Sequence, residues 1–328
     1  MTAVLDTSPA PPQPPAPQPP RRRLSPGGRG ALAAALVALA ATLLMLGHSL
    51  IPDRPGHLGS LTETFLPWTG LVVPLLLVCA AIRRSAVAAA TVLLPALVWG
   101  LLYGGTLTDK QTSGGDLTVL THNVNEHNPR PARTARALAE SGADVVALEE
   151  LGDASVYEEE LAADYPYHSV HDTVGLWSRY PLTDTRAVDI APWPRALRAT
   201  VRTPKGPVAV YVAHLLSVRF SPTAGFGTAA RDRAADLLAE ALRAEALPRA
   251  LLVGDFNGTT DDRALSALTS PMRSAQEMAG AGFGLSWPAA FPLARIDHIL
   301  LRGMEACSAW TLPATASDHL PVAASVRW

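Results

Sequence analysis

Cysteine is nearly absent from this sequence of 328 residues, which contains only Cys79 and Cys307. Cys79 lies inside a long apolar run and Cys307 lies in the polar C-terminal part, so no disulfide can form within one soluble unit. The sequence also lacks Cys and His residues clustered at the spacing of a zinc site, which argues against zinc. A soluble unit of this size can be stabilised by its core alone, so the lack of disulfides does not exclude export.

A surplus of basic residues is missing from the C-terminal part. From Lys110 to Trp328 the sequence has 20 Lys and Arg against 25 Asp and Glu, a net charge of −5 with His neutral. Proteins that bind nucleic acid through its phosphates usually carry a basic surplus. The acidic balance therefore argues against binding of duplex DNA, and it fits several carboxylates gathered at a metal site.

Charge is absent from three long apolar runs in the N-terminal part. The runs occupy about 31–51, 65–82 and 85–103, and they are long enough, or nearly so, to cross a hydrocarbon core of roughly 30 Å. We predict three transmembrane helices, preceded by a disordered Pro-rich tail at 1–30 and followed by a linker at 104–115. A helical hairpin buried in a soluble core is the alternative for the second and third runs.

Basic residues flank the apolar runs unequally. They stand before the first run and between the second and third, at Arg21, Arg22, Arg23, Arg29, Arg83 and Arg84. The loop between the first and second runs has a single Arg, Arg54. Because cytoplasmic loops are enriched in Lys and Arg, we predict a multi-pass protein of the cell membrane. Its N-terminus would be cytoplasmic and its domain at 116–328 extracytoplasmic. A cleaved signal peptide is the alternative for the first run.

Strands and helices are predicted along residues 116–328 from their apolar periodicity. Alternating or continuous apolar residues predict strands, and apolar residues at intervals of three and four predict helices. The predicted strands are 117–124, 144–151, 175–182, 196–203, 207–216, 251–257, 295–303 and 316–328, and the predicted helices are 132–142, 229–246 and one near 261–270. Because strands and helices mix without strict alternation, we expect an α+β fold built of layers.

Polar side chains follow the apolar residues at six strand ends. These residues are Asn123, Glu150, His214, Asp255 with Asn257, Asp297 with His298, and Asp318 with His319. Any one of them is typical of a turn, since Asp and Asn favour turns. Six strand ends that all carry metal-binding or proton-transferring side chains indicate convergence on one site, because rigid elements hold catalytic groups in place.

Seven motifs occur in an order typical of one superfamily, namely THNV, DVVALEE, GLWSRYPL, VAHL, GDFN, RIDHIL and SDHLPV. Together they resemble the endonuclease/exonuclease/phosphatase superfamily over roughly residues 116–328. The resemblance implies a DNase I-like four-layered α/β sandwich, in which helices flank two central sheets and the site lies at one sheet edge. It also implies hydrolysis of phosphoester bonds with a divalent cation, Mg²⁺ or alternatively Mn²⁺.

The resemblance implies a metal site held by Glu150, which matches the metal-binding Glu of the family, with Asn123 in support. Asp318 matches an Asp that touches the metal or pairs with the final His. Two departures bear on this site. Asn125 stands where some nucleases of the superfamily have an acidic residue, and the loss of that carboxylate would weaken metal binding or shift the position of the metal. Glu149 replaces the usual Gln. Alternation along a strand sends Glu149 and Glu150 to opposite faces, so we assign the metal to Glu150.

The resemblance also implies catalytic roles. Asp255 matches the residue that orients or deprotonates the attacking water. Asn257 and His214 match residues at the phosphate, and Asp297 matches a supporting position. His319 matches the final His, which we expect to be held as a cation by Asp318 and to stabilise the pentacovalent phosphate.

Four further residues have weaker claims on the site. His122 is expected to be a loop or surface histidine, and Arg231 is expected on the solvated face of a helix. Trp287 is expected to be a core or rim aromatic rather than a residue that stacks on substrate. His298 follows Asp297 on a strand and is expected to face away from it.

The sequence as a whole predicts a membrane-anchored phosphoesterase. Its partners would be the lipid bilayer and a phosphoester substrate, with phospholipid head groups favoured because the domain is tethered; no protein partner is inferable. A membrane-tethered nuclease acting on DNA or RNA is the alternative, and the acidic balance disfavours it. A catalytically inactive binding module of the same fold is a third interpretation, against which the polar residues at all six strand ends argue.

Overall fold

The computed structural model describes residues 26–53, 56–221 and 225–328. Residues 1–25 of the predicted tail, with its first three Arg residues, lie outside these ranges, and so does Arg54. Within the described residues, apolar helices precede a domain built on two β-sheets.

Three helical segments near the N-terminus are long and apolar enough to cross a membrane, namely Gly28–Leu50, Leu58–Ile82 and Ala86–Thr106. They contain the helices α1 (Pro26–Gly47), α2 (Leu58–Phe65), α3 (Val72–Ile82), α4 (Ala86–Ala90) and α5 (Leu93–Tyr103). The 3₁₀ turns Leu66–Leu71 join α2 to α3, so the second segment is continuous and begins earlier than the predicted residue 65.

Little of the surface of these segments is covered by protein. The most apolar stretch of each segment is 22%, 17% and 28% buried, in chain order. This low coverage argues against the alternative of a hairpin inside a soluble core for the second and third segments, because a core helix would be covered on most sides. Arg83, in the turn between the second and third segments, lies beside Gly30 at the start of α1. That basic end of the bundle is the one remote from the domain.

The domain contains fourteen strands and five helices among the described residues. The strands are β1 (Leu117–Asn123), β2 (Val145–Glu149), β3 (Tyr167–His171), β4 (Val174–Ser178), β5 (Leu182–Ala187), β6 (Ala196–Thr203), β7 (Gly206–Ala213), β8 (Arg219–Ser221), β9 (Gly225–Gly227), β10 (Ala250–Asp255), β11 (Arg273–Ser274), β12 (Asp297–Arg302), β13 (Glu305–Thr311) and β14 (Val322–Arg327). The helices are α6 (Pro131–Ala139), α7 (Ala154–Leu161), α8 (Ala229–Arg243), α9 (Ser266–Thr269) and α10 (Ala275–Ala279).

Two six-stranded sheets form the centre of the domain. Their strand orders are β13-β14-β1-β2-β4-β3 and β11-β12-β10-β7-β6-β5. The inner faces pack on one another through apolar residues such as Val119, Leu176, Val210 and Leu251. The outer face of the first sheet is covered by α6 and α7, and that of the second by α8. The predicted four-layered α/β sandwich is confirmed.

The sequence pattern misassigned two segments. Residues 175–182 were predicted as one strand, but they divide between β4 and β5, which belong to different sheets. Pro181 separates the two strands, and proline has no N–H to continue a ladder. Residues 316–328 were also predicted as one strand, yet β14 begins only at Val322. The residues before it form a loop, which carries Asp318 and His319.

The carboxyl ends of four strands meet at one end of the domain. In the first sheet β1 runs parallel to β2, and in the second β7 runs parallel to β10. Gly254 allows β7 and β10 to end close together, because a Cβ there would lie 2.0 Å from the carbonyl oxygen of Ala213. Its φ of +134° also favours glycine. This end of both sheets is where polar residues from six segments of the chain can meet.

Buried polar contacts attach the second apolar segment to the domain. Glu63 on α2 is 1% exposed and accepts hydrogen bonds from the backbone N–H of Arg263 (3.0 Å) and from its Nε (3.3 Å). The Ser60 hydroxyl donates to the buried carboxylate of Asp262. Arg263 also donates to the carbonyl oxygen of Ile51 at 2.7 Å. The helices and the domain are therefore held together by specific contacts as well as by the connecting chain.

Candidate active site

Two buried carboxylates stand side by side at the end of the second sheet. Asp255 ends β10, Asp297 begins β12, and the two residues are directly opposite in the antiparallel ladder. They are 1% and 0% exposed. Like charges directly opposite are destabilising, so this pair requires a neighbouring cation or a shared proton.

His319 supplies the cation. Its Nδ1 lies 2.9 Å from Asp297 Oδ2, and its Nε2 lies 3.8 Å from Asp255 Oδ2. Burial disfavours the charged ring, but the carboxylates of Asp297 and Asp255 outweigh burial and raise the pKa of His319 to about 10. The ring is therefore an imidazolium near neutral pH, with Nδ1–H held by Asp297 and Nε2–H directed toward Asp255.

Asp318 does not pair with His319, so the prediction that it holds this ring is wrong. Its exposed carboxylate accepts hydrogen bonds from Asn125 Nδ2 (2.8 Å) and from Trp287 Nε1 (3.4 Å). Asp297 takes the predicted place because it is buried at the adjoining strand end, whereas Asp318 lies on the exposed side of its loop. Asn125 donates this hydrogen bond through its amide, which an acidic residue at that position could not do.

Asp255 is held by three donors. Asn123 Nδ2 donates to its Oδ2 at 3.0 Å, the Asn257 backbone N–H donates to its Oδ1 at 2.8 Å, and Asn257 Nδ2 donates to Oδ2 at 3.3 Å. Burial is the main reason that the pKa of Asp255 is raised to about 7, with His319 opposing that rise and Asp297 adding to it. A carboxylate with a pKa near neutrality is suited to accepting a proton from water.

Asn257 serves Asp255 in this geometry. Besides its contacts with Asp255, its Nδ2 donates to the carbonyl oxygen of Leu215 at 2.9 Å, so both amide hydrogens are used inside the protein. Its φ of +48° places it in the left-handed region, which Asn tolerates. The arrangement indicates a positioning residue, whereas the sequence predicted a residue that binds the phosphate.

Glu150 and His214 face one another at the opening of the site. Glu150 follows β2 with a φ of +56°, its side chain is 27% exposed, and its Oε1 lies 3.3 Å from His214 Nε2. Burial, together with the nearby cation Arg195, keeps the pKa of His214 well below its usual value, so His214 is neutral. Glu149 is buried behind this opening and accepts a hydrogen bond from Thr121 Oγ1 at 2.8 Å.

Arg195 is a site residue that the sequence did not single out. It lies just before β6, and its Nη2 is 2.6 Å from Nδ1 of His214. Its Nε also donates to the His214 carbonyl oxygen at 3.0 Å. In the sequence, Arg195 has no motif that separates it from the other Arg residues, and only the pairing of β6 with β7 brings it to His214.

Two sets of residues could hold a divalent cation. Asp255, Asp297 and His319 have ligand atoms within 4.8 Å of one another, but a protonated ring that already donates to Asp297 cannot coordinate a metal. Glu150 fits better. Among the described residues it forms no ion pair with Lys or Arg, and hard cations such as Mg²⁺ prefer carboxylate oxygen. Asn123 and Asp318, which the sequence assigns to the same metal, bond to other residues of the site: Asn123 donates to Asp255, and Asp318 accepts from Asn125.

The fold and these residues define a class of enzyme, the hydrolases of phosphoester bonds. Residues 120–319 match the sequence profile of the Endonuclease/Exonuclease/phosphatase family. The profile covers more than half of the chain, which therefore belongs to that family. Members of this family use divalent metals, in keeping with the partly exposed carboxylate of Glu150 at the opening of the site.

Solved structures share the fold of the domain. A conserved protein of unknown function from Enterococcus faecalis is 16% identical, with a TM-score of 0.54 over 64% of this chain and 99% of its own. A mannosyl-6-phosphatase from Bacteroides thetaiotaomicron is 16% identical, with a TM-score of 0.52 over 65% and 100%. TDP2 from D. rerio, humanized by 14 mutations, is 18% identical, with a TM-score of 0.53 over 65% and 99%. No curated protein sequence matches the chain significantly.

Two residues lie elsewhere than their sequence predicted. His122, expected at the surface, is fully buried, and burial lowers its pKa to about 3. Helices cover the outer face of the first sheet, so both faces of β1 are inside.

Arg231, expected on a solvated helix face, is also buried, and its Nη2 lies 2.8 Å from Asp262 Oδ2. Its Nη1 donates to the carbonyl oxygen of Asn257 at 3.0 Å, which links this ion pair to the site.

Replacing Arg231 by Leu is expected to lower the free energy of unfolding by about 3–5 kcal/mol, because the buried Asp262 would lose its partner. The exposed Arg233, on the same helix, provides the matched control. Arg233→Leu is expected to change stability by no more than about 0.5 kcal/mol. Chemical denaturation of the full chain in detergent measures both. Equal effects of the two substitutions would contradict the importance of the buried ion pair.

The pKa of His319 also predicts how stability depends on pH. A pKa raised above the usual value of about 6.5 contributes stability that is complete below that pH and is lost as pH rises through the folded-state pKa, here about 10. We expect the melting temperature in EDTA to fall by several degrees between about pH 7 and about pH 9.5. His319→Gln lacks this titration and should lose less over the same interval. If the melting temperature of His319→Gln fell as much as that of the wild type, His319 would not carry the assigned positive charge.

Proposed function

We propose that this protein is a membrane-anchored, divalent-metal-dependent phosphoesterase that acts on lipid head groups by in-line attack of water. The observation that carries the proposal is the buried arrangement of Asp255, His319 and Asp297 beside the partly exposed Glu150. It combines a proton acceptor, a fixed cation and a partly exposed carboxylate at one end of two rigid sheets. These are the groups that hydrolysis of a phosphoester requires.

Asp255 accepts the proton of the attacking water in this proposal. Its three hydrogen bonds fix the carboxylate, and its pKa of about 7 leaves a substantial fraction deprotonated at neutral pH. A base whose pKa lies near the working pH accepts a proton most effectively.

His319 stabilises the negative charge that develops on the phosphoryl group. Asp297 fixes the orientation of the ring through Nδ1, which leaves the Nε2–H free to donate toward a phosphoryl oxygen beside Asp255. His214, neutral and next to Arg195, adds a second polar group on the Glu150 side. Charge held in place before the reaction stabilises a transition state without reorganisation.

Glu150, supported by Asn123 and Asp318, would hold the divalent cation, for which Mg²⁺ is the first choice and Mn²⁺ the second. A bound Mg²⁺ would neutralise charge on the phosphoryl oxygens. Asn125 enters this set indirectly, through its hydrogen bond to Asp318.

The membrane part of the proposal rests on the apolar helical segments. Leu36, Leu43, Leu75 and Leu101 are between 57% and 77% exposed, which is unfavourable in water and favourable in lipid. The distribution of Arg residues supports a cytoplasmic N-terminus and an extracytoplasmic domain in the cell membrane. The acidic balance of the domain favours lipid head groups over nucleic acid as substrate.

Glu150→Gln tests the metal assignment in the full-length chain. We expect the concentration of Mg²⁺ at half-maximal turnover of bis-p-nitrophenyl phosphate to rise by at least about tenfold, because a carboxylate ligand is lost. Glu126→Gln, at a side chain that is 59% exposed in the neighbouring loop, is the matched control and should leave that concentration unchanged. An unaltered Mg²⁺ requirement in Glu150→Gln would show that the cation is held elsewhere.

A further inference from the structure

One loop of the domain touches both the apolar helices and the active site. We name residues 283–293 the bridging loop. Its Leu293 carbonyl oxygen accepts a hydrogen bond from Trp68 Nε1 at 2.7 Å. At its other end, the Phe283 ring lies 6.2 Å from the ring of Trp99 and 6.1 Å from that of Tyr103. The bridging loop is therefore packed against the second and third apolar segments.

The middle of the bridging loop packs on the loop before β14, which carries Asp318 and His319. The Ala289 backbone N–H donates to the carbonyl oxygen of Asp318 at 2.7 Å, and Trp287 Nε1 is 3.4 Å from Asp318 Oδ2. The Leu320 N–H donates to the Ser286 carbonyl oxygen at 2.8 Å. His319 lies between Asp318 and Leu320. The bridging loop, which contacts the helices, is therefore hydrogen-bonded on both sides of this active-site residue.

In the proposed topology, the helix contacts lie near a membrane interface. Trp68, Trp99 and Tyr103 are the aromatic residue types that gather where hydrocarbon meets water. Trp68 precedes Arg83, at the basic end of the bundle, by about 15 residues, or about 22 Å along a helix. That is less than the roughly 30 Å of a hydrocarbon core. With Arg83 at the cytoplasmic boundary, as the proposed topology has it, a domain residue that contacts Trp68 lies at the level of the bilayer.

The tip of the bridging loop is apolar and uncovered. It reads WPAAFP from Trp287 to Pro292, without a charged side chain. Phe291 is 68% exposed and Trp287 is 37% exposed. An exposed apolar patch marks a surface that meets another apolar phase. Here the patch continues directly from the contacts with the aromatic helix ends, so the phase that it meets is the lipid leaflet around those helices.

We propose that the tip of the bridging loop inserts into the leaflet on the domain side and holds the mouth of the active site at the level of the head groups. The substrate is then a phosphoester carried by a lipid of the same membrane. This inference rests on the proposed hydrolase and membrane anchor. It adds the surface that brings the substrate and the site together.

A fluorescent probe tests the insertion independently of catalysis. The full chain with Cys79→Ser and Phe291→Cys is labelled with an environment-sensitive dye and placed in nanodiscs of phosphatidylethanolamine and phosphatidylglycerol, since the remaining Cys307 is buried. The matched control is Tyr167→Cys, 40% exposed at the end of β3 remote from the site. We expect nitroxide groups on the upper acyl chains to quench the dye at 291 at least about threefold more than at 167. Equal quenching at the two positions would overturn the insertion.

Turnover tests the substrate class. For wild type, Phe291→Asp and Tyr167→Asp, the release of phosphate-containing head groups from phosphatidylglycerol nanodiscs is divided by the turnover of bis-p-nitrophenyl phosphate. We expect this ratio to fall at least about tenfold in Phe291→Asp, or about 1.4 kcal/mol, and to be unchanged in Tyr167→Asp. An unchanged ratio in both, or wild-type turnover of the soluble ester without any release from nanodiscs, would overturn the lipid assignment. Absence of all wild-type turnover would instead refute the proposed hydrolase, and the quenching result would still decide the insertion.

Discussion

Replacing Asp255 by Asn is expected to lower kcat for bis-p-nitrophenyl phosphate by about 10³-fold or more. The amide has nearly the shape of the carboxylate, but it cannot accept a proton from water, and a positioned base contributes about 10²–10⁴-fold. The amide also removes the charge that faces His319 at 3.8 Å. The rate should therefore fall while the fold is kept.

The control for this substitution is Asp261→Asn. Asp261 is an exposed carboxylate in the loop that follows Asn257, so it matches Asp255 in chemistry and in neighbourhood. We expect it to retain wild-type turnover. A similar loss in the two variants, or a melting temperature that falls as much as the activity, would contradict a catalytic role for Asp255.

The second large effect concerns the pair formed by Asp297 and His319. His319→Gln removes the cation, and Asp297→Asn removes the carboxylate that orients it and sustains its charge. We expect each single substitution to lower kcat by about 10²–10³-fold, the usual cost of removing one electrostatic stabiliser of the transition state. Residues that act as a unit are strongly non-additive, so the double variant should be no slower than the slower single variant within about threefold.

Multiplication of the two losses of kcat in the double variant would contradict this coupling. Asp297 and His319 would then act independently, and the ring would not depend on Asp297 for its function. Asp318→Asn provides a comparison within the same loop. Because Asp318 bonds to Asn125 and Trp287 rather than to the ring, this variant should differ from wild type in Mg²⁺ requirement more than in the kcat reached at saturating metal.

Much of the fold could be predicted because the strands are apolar and their ends are polar. The run Leu251-Leu252-Val253 followed by Gly254 and Asp255 forms β10 and its end, as the pattern indicated. Strands buried on both faces have near-continuous apolar sequences, and the polar residues that follow them mark where the strands end. A layered α+β fold and a shared site at the strand ends follow from that pattern, whereas the four-layered sandwich was implied by the resemblance to the superfamily.

What could not be predicted depends on contacts between distant parts of the chain. The pairing of Asp297 with His319 follows from the register of β10 against β12 and from the loop before β14. Neither is visible in a local pattern, and the adjacent Asp318 was the nearer choice in sequence. Arg231 looked like a solvated residue because its helix is amphipathic, yet Asp262 and the docked helix α2 bury it.

The division of 175–182 between two sheets also depends on contacts between distant parts of the chain. Its residues have a β-type composition throughout, and only Pro181 marks the point at which the chain leaves one sheet for the other. Arg195 is the site residue that could not be predicted from the sequence. It belongs to no motif, and it reaches His214 because β6 pairs with β7 across the second sheet.

The most direct test of the assigned site is the hydrolysis of bis-p-nitrophenyl phosphate by the wild-type chain in nanodiscs, measured with EDTA and then after Mg²⁺ is restored. We expect negligible turnover in EDTA, recovery with Mg²⁺, and no recovery in Asp255→Asn. Turnover that persists in EDTA or in Asp255→Asn would contradict the assigned site. A folded protein that binds Mg²⁺ yet cleaves no phosphoester would contradict the assignment as a hydrolase.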